Sequence, residues 1–564
     1  MNFFGGLTMA YIVKQISSLE KVRVGSNIDY NEINAKTLLK GERFSYQIAY
    51  NINVCTTAKL SVESELKDYV KLYSVENVVM DMPVSYVEAG LDNDYITKEP
   101  GLMPDVLVPM EERDNILVAN GGSSAIWVEL NLPEDIKPGS YSVTIKAEHM
   151  ENMRCAVSEG VVFEKTMSIE VIDELMPPQK LIYTRWFYVD CIADYHKVEV
   201  YSDAHFDLIE KYIKAAREVG VNMILVPVHT PPLDTAYGTT RTCVQLVDIL
   251  KEGDKYSFNF DKLRRYISIC KRCDVEYYEI AHMFSQWGAQ YAANIKVTEN
   301  GVCDYKFGWH VSSKSEEYIE FLKQYLAEII KVLKEEDVFE KTYFHISDEP
   351  RLEEIESYKT GYDILKPLIE GAKTFDALSR YAFYEKGLVE CPVTSVAHIE
   401  EFLEHDIENQ WVYYCCGPQS VYTNSILAMP LSRVRILGFL AYKYNIKGFL
   451  HWGLNFYNGR LSLYNLDPYT TTSCHGVFPS GDPFIIYPSK TGAYNSLRGK
   501  ATYEAINDMN TCFALEKYIG RDEVIKLIDK GLSHELTFSQ FPRGKEYIEN
   551  LRDEMVNLIK ENIK

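Results

Sequence analysis

The stretch Lys341-Thr342-Tyr343-Phe344-His345-Ile346-Ser347-Asp348-Glu349-Pro350 decides how this chain is interpreted. Its aromatic and apolar first half predicts a short buried strand. Pro350 has no backbone N–H and cannot continue a strand ladder, so the strand is expected to end at two adjacent acids. Two carboxyl groups this close repel each other when both are ionised, which raises one pKa and can create a general acid. The same Asp-Glu-Pro sequence is also a common helix start with Asp348 as N-cap.

The region around this stretch alternates between predicted strands and predicted helices. The predicted strands are residues 181–189, 222–228, 276–284, 342–347, 379–384, 393–397, 411–415 and 447–452. Helical patterns separate most of them, as at residues 206–219 and 315–334. Eight such units within roughly 270 residues predict a (β/α)₈ TIM-type barrel rather than an open sheet.

The chain before this alternation has the pattern of short antiparallel strands. Residues 44–50, 125–130 and 141–145 alternate between apolar and polar side chains, and Gly-rich or Pro-rich turns separate them. This pattern predicts a β-sandwich that ends near Pro177-Pro178. After about residue 501 the sequence is helical with charged faces. We therefore predict an N-terminal sandwich at 1–178, a catalytic barrel at 179–510 and a C-terminal helical segment at 511–564.

Composition limits the classes of partner. The 564 residues include 59 basic and 81 acidic side chains, a net charge of −22, which disfavours nucleic acid and anionic membrane surfaces. No stretch approaches the roughly 20 apolar residues of a membrane-spanning helix. Residues 1–13 lack the basic start of a signal peptide, and the 12 Cys lack the spacing of a disulfide scaffold. These features predict a cytoplasmic protein without membrane insertion.

No metal or cofactor is predicted. Cys270 and Cys273 form a single CxxC within a helical pattern, and no second pair completes a zinc site. The acids near the predicted strand ends are too few to indicate calcium, and HExxH is missing. The adjacent Cys415 and Cys416 fit either a redox pair or packing on a buried strand, and we predict packing.

In a barrel of parallel strands the active site lies at the carboxyl ends of the strands. Aromatic and polar side chains gather at those predicted ends, as a sugar-binding cleft requires. The predicted substrate-binding residues are Trp186, His282, Trp287, Trp309, His310, Tyr384, Tyr414, Trp452, Asn455 and Tyr457.

Several of these residues also fit a structural role. Each Trp suits packing at the end of a barrel, and His282 and His310 are evenly balanced between ligand contact and structure. Asn455 and Tyr457 suit either sugar hydroxyls or a cap on the barrel. His345, inside the fourth predicted strand, is expected to be a hydrogen-bonded core histidine.

The positions of the carboxylates limit which glycosidase mechanisms are possible. An ordinary retaining glycosidase needs an acid/base and a separate nucleophile about 5 Å apart. The seventh predicted strand, where a nucleophilic Glu would be typical, contains no acid. Adjacent acids suit a mechanism in which the substrate's 2-acetamido oxygen is the nucleophile. Asp348 would orient and charge-stabilise the acetamido N–H, and Glu349 would protonate the leaving oxygen and activate water.

Several segments resemble glycoside hydrolase family 123 and the related domain of unknown function 4091. The matching segments are residues 100–105, 282–289, 307–310, 342–350, 414–418, 447–457 and 481–484. The resemblance implies a β-sandwich, a (β/α)₈ barrel and β-N-acetylgalactosaminidase activity on an oligosaccharide or glycoconjugate, with Asp348 and Glu349 as the catalytic pair. Another N-acetylhexosamine specificity, such as N-acetylglucosamine, and a non-catalytic carbohydrate-binding barrel remain open.

Overall fold

The structure, a computed structural model, describes residues 11–52, 55–85, 92–150 and 160–563. Residues 1–10, most of the N-terminal segment that lacks the features of a signal peptide, lie outside these ranges. The described helices include none that is both long and apolar enough to cross a membrane.

The strands are β1 (Tyr11–Ser17), β2 (Ala35–Lys40), β3 (Arg43–Ile52), β4 (Cys55–Glu63), β5 (Val70–Met80), β6 (Gly101–Pro109), β7 (Ile116–Asn120), β8 (Ser123–Asn131), β9 (Gly139–His149), β10 (Val161–Leu175), β11 (Ile182–Arg185), β12 (Met223–Val226), β13 (Asp248–Glu252), β14 (Lys255–Asn259), β15 (Tyr277–Ile280), β16 (Ile295–Glu299), β17 (Val302–Phe307), β18 (Thr342–Phe344), β19 (Lys373–Leu378), β20 (Cys391–Ser395), β21 (Trp411–Tyr413), β22 (Gly448–His451), β23 (Tyr487–Pro488) and β24 (Ala493–Ser496). The helices are α1 (Val189–His196), α2 (Asp203–Glu218), α3 (Asp261–Arg272), α4 (Glu316–Glu335), α5 (Ile355–Leu365), α6 (Ala382–Glu385), α7 (Ile399–Leu403), α8 (Ser432–Arg435), α9 (Leu437–Lys443), α10 (Leu497–Ile519), α11 (Arg521–Asp529) and α12 (Glu546–Ile563).

The N-terminal strands form two mostly antiparallel sheets, as predicted. Their orders are β1-β3-β8-β5-β6-β24-β23 and β2-β10-β9-β4-β7, with only β2 and β10 parallel. Inward-facing side chains such as Ile48, Val128 and Ile145 belong to one apolar core that draws on both sheets. Alternation along each strand buries these residues and leaves polar neighbours outside.

The central strands form a closed barrel of eight parallel strands, in the order β11-β12-β15-β18-β19-β20-β21-β22. The strand β22 pairs with β11 in parallel and closes the ring. Helices lie between successive barrel strands along the chain, and the side chains of Ser202 and Ser315 cap the N-termini of α2 and α4. A small sheet, β14-β13-β16-β17, is built from the segments after β12 and β15.

The prediction of the fifth barrel strand at residues 379–384 is wrong. That strand is β19, and residues 382–385 form the short helix α6. Because the charged Asp376 lies in the middle of β19, the sequence of this strand resembles a polar segment, although the Asp376 side chain is fully buried. The aromatic residues that suggested a strand instead pack outside the barrel, where Tyr381 stacks on His405.

The chain after the barrel returns to the N-terminal sheet and then becomes helical. The strand β24 pairs antiparallel with β6, and α10 follows it directly. Arg498 and Asp105 join the two parts in an ion pair of 2.8 Å, with both side chains fully buried. The helix α10 crosses the predicted boundary at residue 510, and the three-domain division stays a prediction.

Candidate active site

A pocket with a cavity volume of about 120 Å³ opens where the carboxyl ends of the barrel strands meet. Its lining is mostly aromatic and apolar, with three carboxylates. The lining residues are Trp186, Tyr188, Leu233, Asp234, Gln286, Trp287, Asp348, Glu349, Ala377, Tyr413, Cys415, Cys416, Leu450, Trp452 and Phe478.

The two adjacent acids enter this pocket because the backbone bends between them. The strand β18 ends at Phe344, and Glu349 adopts a left-handed conformation with φ of 41°, which is uncommon for a residue other than glycine. The Glu349 N–H donates to the carbonyl of Ala377 at 3.1 Å and fixes the bend. Asp348 is buried and Glu349 is exposed at the mouth.

Asp348 is held from the neighbouring barrel loop. The Gln286 side-chain amide donates to Asp348 Oδ2 at 3.1 Å, and the Trp287 N–H donates to the Asp348 carbonyl at 3.0 Å. Burial and the nearby charge of Glu349 raise the pKa of Asp348 well above its ordinary value. The acid pair therefore retains a proton at a pH where isolated carboxyl groups are ionised.

Glu349 is held by Tyr413, the last residue of β21. The Tyr413 hydroxyl donates to Glu349 Oε1 at 2.7 Å, a distance typical of a charge-assisted hydrogen bond. Burial and the charge of Glu349 raise the pKa of Tyr413 well above its ordinary value, so the phenol keeps its proton and acts as a donor.

A buried charge network lies beneath the pair. The ring nitrogens of His345 contact Asp376 at 2.7 Å and Glu279 at 2.6 Å, as predicted for a hydrogen-bonded core histidine. Burial opposes the imidazolium charge, but both carboxylates outweigh it and raise the pKa of His345 to about 9. Asp376 also accepts hydrogen bonds from the N–H groups of Ile346 (3.2 Å) and Ser347 (3.4 Å). The network thereby fixes the backbone that carries Asp348.

Three of the predicted Trp residues line the pocket with the acid pair. Trp186 is buried and donates from Nε1 to Glu279 Oε1 at 2.6 Å. Trp452 donates from Nε1 to Asp482 Oδ2 at 2.9 Å. Trp287 is 44% exposed and has φ of 56°, a conformation that a bulky side chain rarely adopts.

Four other predicted contacts do not line the pocket. His282 is buried under Trp186 and stacks on His345 at 3.8 Å between ring centroids. Trp309 packs on Tyr237, and the exposed His310 is 3.2 Å from a backbone carbonyl. Tyr384 is in α6 rather than at a strand end.

The remaining three predicted contacts are buried in the scaffold. Tyr414 packs against Phe449 in the barrel. The Asn455 side chain forms two hydrogen bonds with the backbone of Tyr188, at 2.9 and 3.0 Å. The Tyr457 hydroxyl donates to the carbonyl of Ile486 at 2.7 Å.

The structure adds residues that the sequence analysis did not select. Tyr413 is the last residue of β21, a position that the rule for parallel barrels marks, and Gln286 lies on the loop six residues after the end of β15. Asp234 lies on the long loop after β12, with no motif to mark it. Cys415 and Cys416 lie just beyond β21, which ends at Tyr413, and not on the strand itself. Both thiols are half-buried in the pocket wall, and Cys415 packs against the apolar core, as predicted.

One group of three potential metal ligands occurs among the described residues. Donor atoms of His282, His345 and Asp376 lie within 4.8 Å of one another. Both nitrogens of His345 are already hydrogen-bonded to carboxylates, so this histidine offers no free lone pair.

Comparisons with known proteins agree with this geometry. Residues 186–515 match the sequence model of the glycoside hydrolase 123 catalytic domain. A family 123 glycoside hydrolase from Clostridium perfringens, solved in a study of glycolipid glycan hydrolysis, has a TM-score of 0.71 at 17% identity, with 98% of each chain covered.

Another solved glycosidase has only a weak structural similarity to this chain. A β-glucuronidase from Bacteroides uniformis has a TM-score of only 0.28 at 9% identity, covering 84% of this chain and 49% of that one. No curated protein matches the sequence. The family match spans more than half of the chain and contains the acid pair, and the chain therefore belongs to glycoside hydrolase family 123.

Proposed function

We propose that this glycosidase removes terminal β-linked N-acetylgalactosamine from an oligosaccharide or glycoconjugate, with the substrate's 2-acetamido group as nucleophile. The observation that carries the proposal is the placement of Asp348 and Glu349, adjacent in sequence, in one pocket. One acid is buried and has a raised pKa, and the other is exposed at the mouth. This difference suits two separate tasks on one substrate.

In the first step Glu349 gives its proton to the glycosidic oxygen, and the bond from that oxygen to the anomeric carbon breaks. The acetamido oxygen forms a bond to the same carbon and gives an oxazolinium ion. Asp348 accepts a hydrogen bond from the acetamido N–H and stabilises the positive charge. In the second step Glu349 takes a proton from water, and the water oxygen attacks the anomeric carbon. The bond from that carbon to the acetamido oxygen breaks, which opens the oxazolinium ring and leaves the anomeric configuration retained.

The raised pKa of Asp348 fits this cycle because the pair must carry one proton. In the free protein the buried Asp348 competes with Glu349 for it. A hydrogen bond from the acetamido N–H favours ionised Asp348 and leaves the proton for Glu349. The hydrogen bond from Tyr413 stabilises Glu349 after it has given that proton away.

The Trp side chains support a sugar-binding role for this pocket. Trp186, Trp287 and Trp452 offer apolar faces for the sugar ring and the acetamido methyl group. The Clostridium perfringens relative, described as acting on a glycolipid glycan, favours a glycoconjugate substrate here. We also propose that the barrel and its intervening helices form a (β/α)₈ catalytic domain at 179–510, between a sandwich at 1–178 and a helical segment at 511–564.

The test is hydrolysis of aryl β-N-acetylgalactosaminide by the wild type, Glu349→Gln and Asp348→Asn. We expect hydrolysis with retained configuration, strong inhibition by the corresponding thiazoline, and loss of about 100-fold or more in kcat for both variants. Glu353→Gln, an exposed acid close to the pair, is the matched control. Wild-type rates in both acid variants would contradict the proposal. Faster cleavage of the N-acetylglucosaminide than of the N-acetylgalactosaminide would identify N-acetylglucosamine as the preferred sugar instead.

A further inference from the structure

The pocket wall formed by the loops after β11 and β12 contains polar atoms without a protein partner. Tyr188 is 1% exposed, yet its hydroxyl has no hydrogen-bond partner among the described residues. The same holds for Oδ2 of Asp234, the third carboxylate of the pocket lining. Buried polar atoms in native proteins are nearly always hydrogen-bonded, so their partner is expected to come from whatever occupies the pocket.

A buried arginine stands behind these two residues. The Arg241 guanidinium carbon lies 5.1 Å from the centre of the Tyr188 ring, and its Nε lies 3.5 Å from Asp190 Oδ2. Burial raises the pKa of Asp234 to about 6, while the Arg241 charge opposes that rise. Asp234 is therefore a carboxylate above pH 6 and accepts hydrogen bonds only.

A single amide group connects this wall to the catalytic acids. The Asp234 N–H donates to Gln286 Oε1 at 2.7 Å, and the same side chain donates from Nε2 to Asp348 at 3.1 Å. On the other side, the Ser462 hydroxyl donates to the Asp234 carbonyl at 2.6 Å. Asp234 is thus fixed at the border of the volume in which Asp348 acts.

The chemistry of this wall fits neutral hydroxyl groups. Asp234 would repel a phosphate or carboxylate, and the Arg241 charge behind it offsets part of its attraction for a cation. A carboxylate acceptor beside a phenol, which both donates and accepts, matches the hydroxyls of a sugar ring. We infer that Asp234 and Tyr188 form a hydroxyl-recognition subsite that selects which N-acetylhexosamine is accepted, an inference that rests on the proposed function. It assigns the acetamido group to Asp348 and the ring hydroxyls remote from it to Asp234.

The experiment combines variants with deoxy substrates. The wild type, Asp234→Ala and Tyr188→Phe are compared on aryl N-acetylgalactosaminide and on its 4-deoxy and 6-deoxy analogues. We expect Asp234→Ala to lose about 10- to 100-fold in kcat/KM on the full sugar, the range of a hydrogen bond to a charged group, and Tyr188→Phe to lose about 2- to 10-fold, the range of a neutral hydrogen bond. On the analogue that lacks the recognised hydroxyl, the variant and the wild type should be nearly equal. Asp248→Asn, an exposed acid on β13, is the matched control.

Three results would overturn the inference, and they are distinguishable. Equal losses on all three substrates would show that Asp234 and Tyr188 only support the fold, a result that thermal melting and thiazoline binding would check. A loss above about 10⁴-fold in Asp234→Ala, with activity restored by azide, would make Asp234 a nucleophile and overturn substrate assistance as well. A wild type inert on every aryl N-acetylhexosaminide would refute the proposed function itself.

Discussion

Replacing Tyr413 by Phe removes one hydroxyl and keeps the shape of the ring. That hydroxyl donates to Glu349 Oε1 at 2.7 Å. A hydrogen bond to a charged group contributes about 1.5–3 kcal/mol. Glu349 is exposed, so water replaces part of the lost bond, and we expect a loss of about 1–2 kcal/mol. Since about 1.4 kcal/mol is a factor of ten, kcat should fall about 5- to 30-fold.

The loss should depend on how much help the leaving group needs. The Tyr413 bond is strongest when Glu349 has given up its proton, which is the state formed as the glycosidic bond breaks. A 2,4-dinitrophenyl substrate needs little protonation and should show almost no effect, whereas a phenyl or sugar aglycone should show the full one. KM should change little.

The assay is kcat and KM for wild type and Tyr413→Phe across aryl substrates with leaving groups of different acidity. Tyr343→Phe, a buried tyrosine on β18 outside the pocket lining, is the matched control. An equal loss on every leaving group, or a change in KM alone, would refute the assignment of Glu349 as the acid assisted by Tyr413.

Two further predictions concern the charge network and the thiols. The folded protein binds the His345 proton more tightly than the unfolded chain, whose histidine pKa is about 6.5, so the stabilisation is complete below that pH and is lost as the pH rises through about 9. Urea unfolding should therefore show a decrease of about 3 kcal/mol between pH 6.5 and 9 in the wild type relative to His345→Gln, and identical pH dependence would contradict the charged network. Alkylation of the half-buried Cys416 by N-ethylmaleimide should block the pocket and abolish activity, with protection by a thiazoline, while the Cys416→Ser variant stays active under the same treatment. The hydrogen-bonded Cys416 thiol and burial raise the pKa of Cys415 well above its ordinary value, so Cys415 should react far more slowly.

The parts of the fold that follow apolar periodicity were predictable, and the exceptions involve buried charge. Seven barrel strands coincide with apolar runs in the sequence. The exception is the fifth barrel strand, β19. It contains Asp376, whose burial is stabilised by His345, a partner 31 residues earlier in the chain. No local pattern indicates that pairing, so the sequence predicts the strand at the next aromatic segment, residues 379–384, instead.

The residues of the candidate site also include some that the sequence predicts and some that it does not. Asp348, Glu349, Trp186 and Trp452 lie close to strand ends, where the rule for parallel barrels applies directly. Asp234 reaches the pocket from the middle of a long loop that is positioned by Gln286 and Ser462. Such a position depends on tertiary hydrogen bonds and carries no mark in the sequence.

The strand β24 has a consequence for biosynthesis. The edge of β6 is covered by residues that leave the ribosome only after the whole barrel has been synthesised. Until then an uncovered strand edge and the acid Asp105, which lacks Arg498, are present in the nascent chain. The N-terminal sheet therefore cannot complete its folding until the barrel has been synthesised. A fragment that stops before β24 should depend on chaperones or form intermolecular sheet contacts.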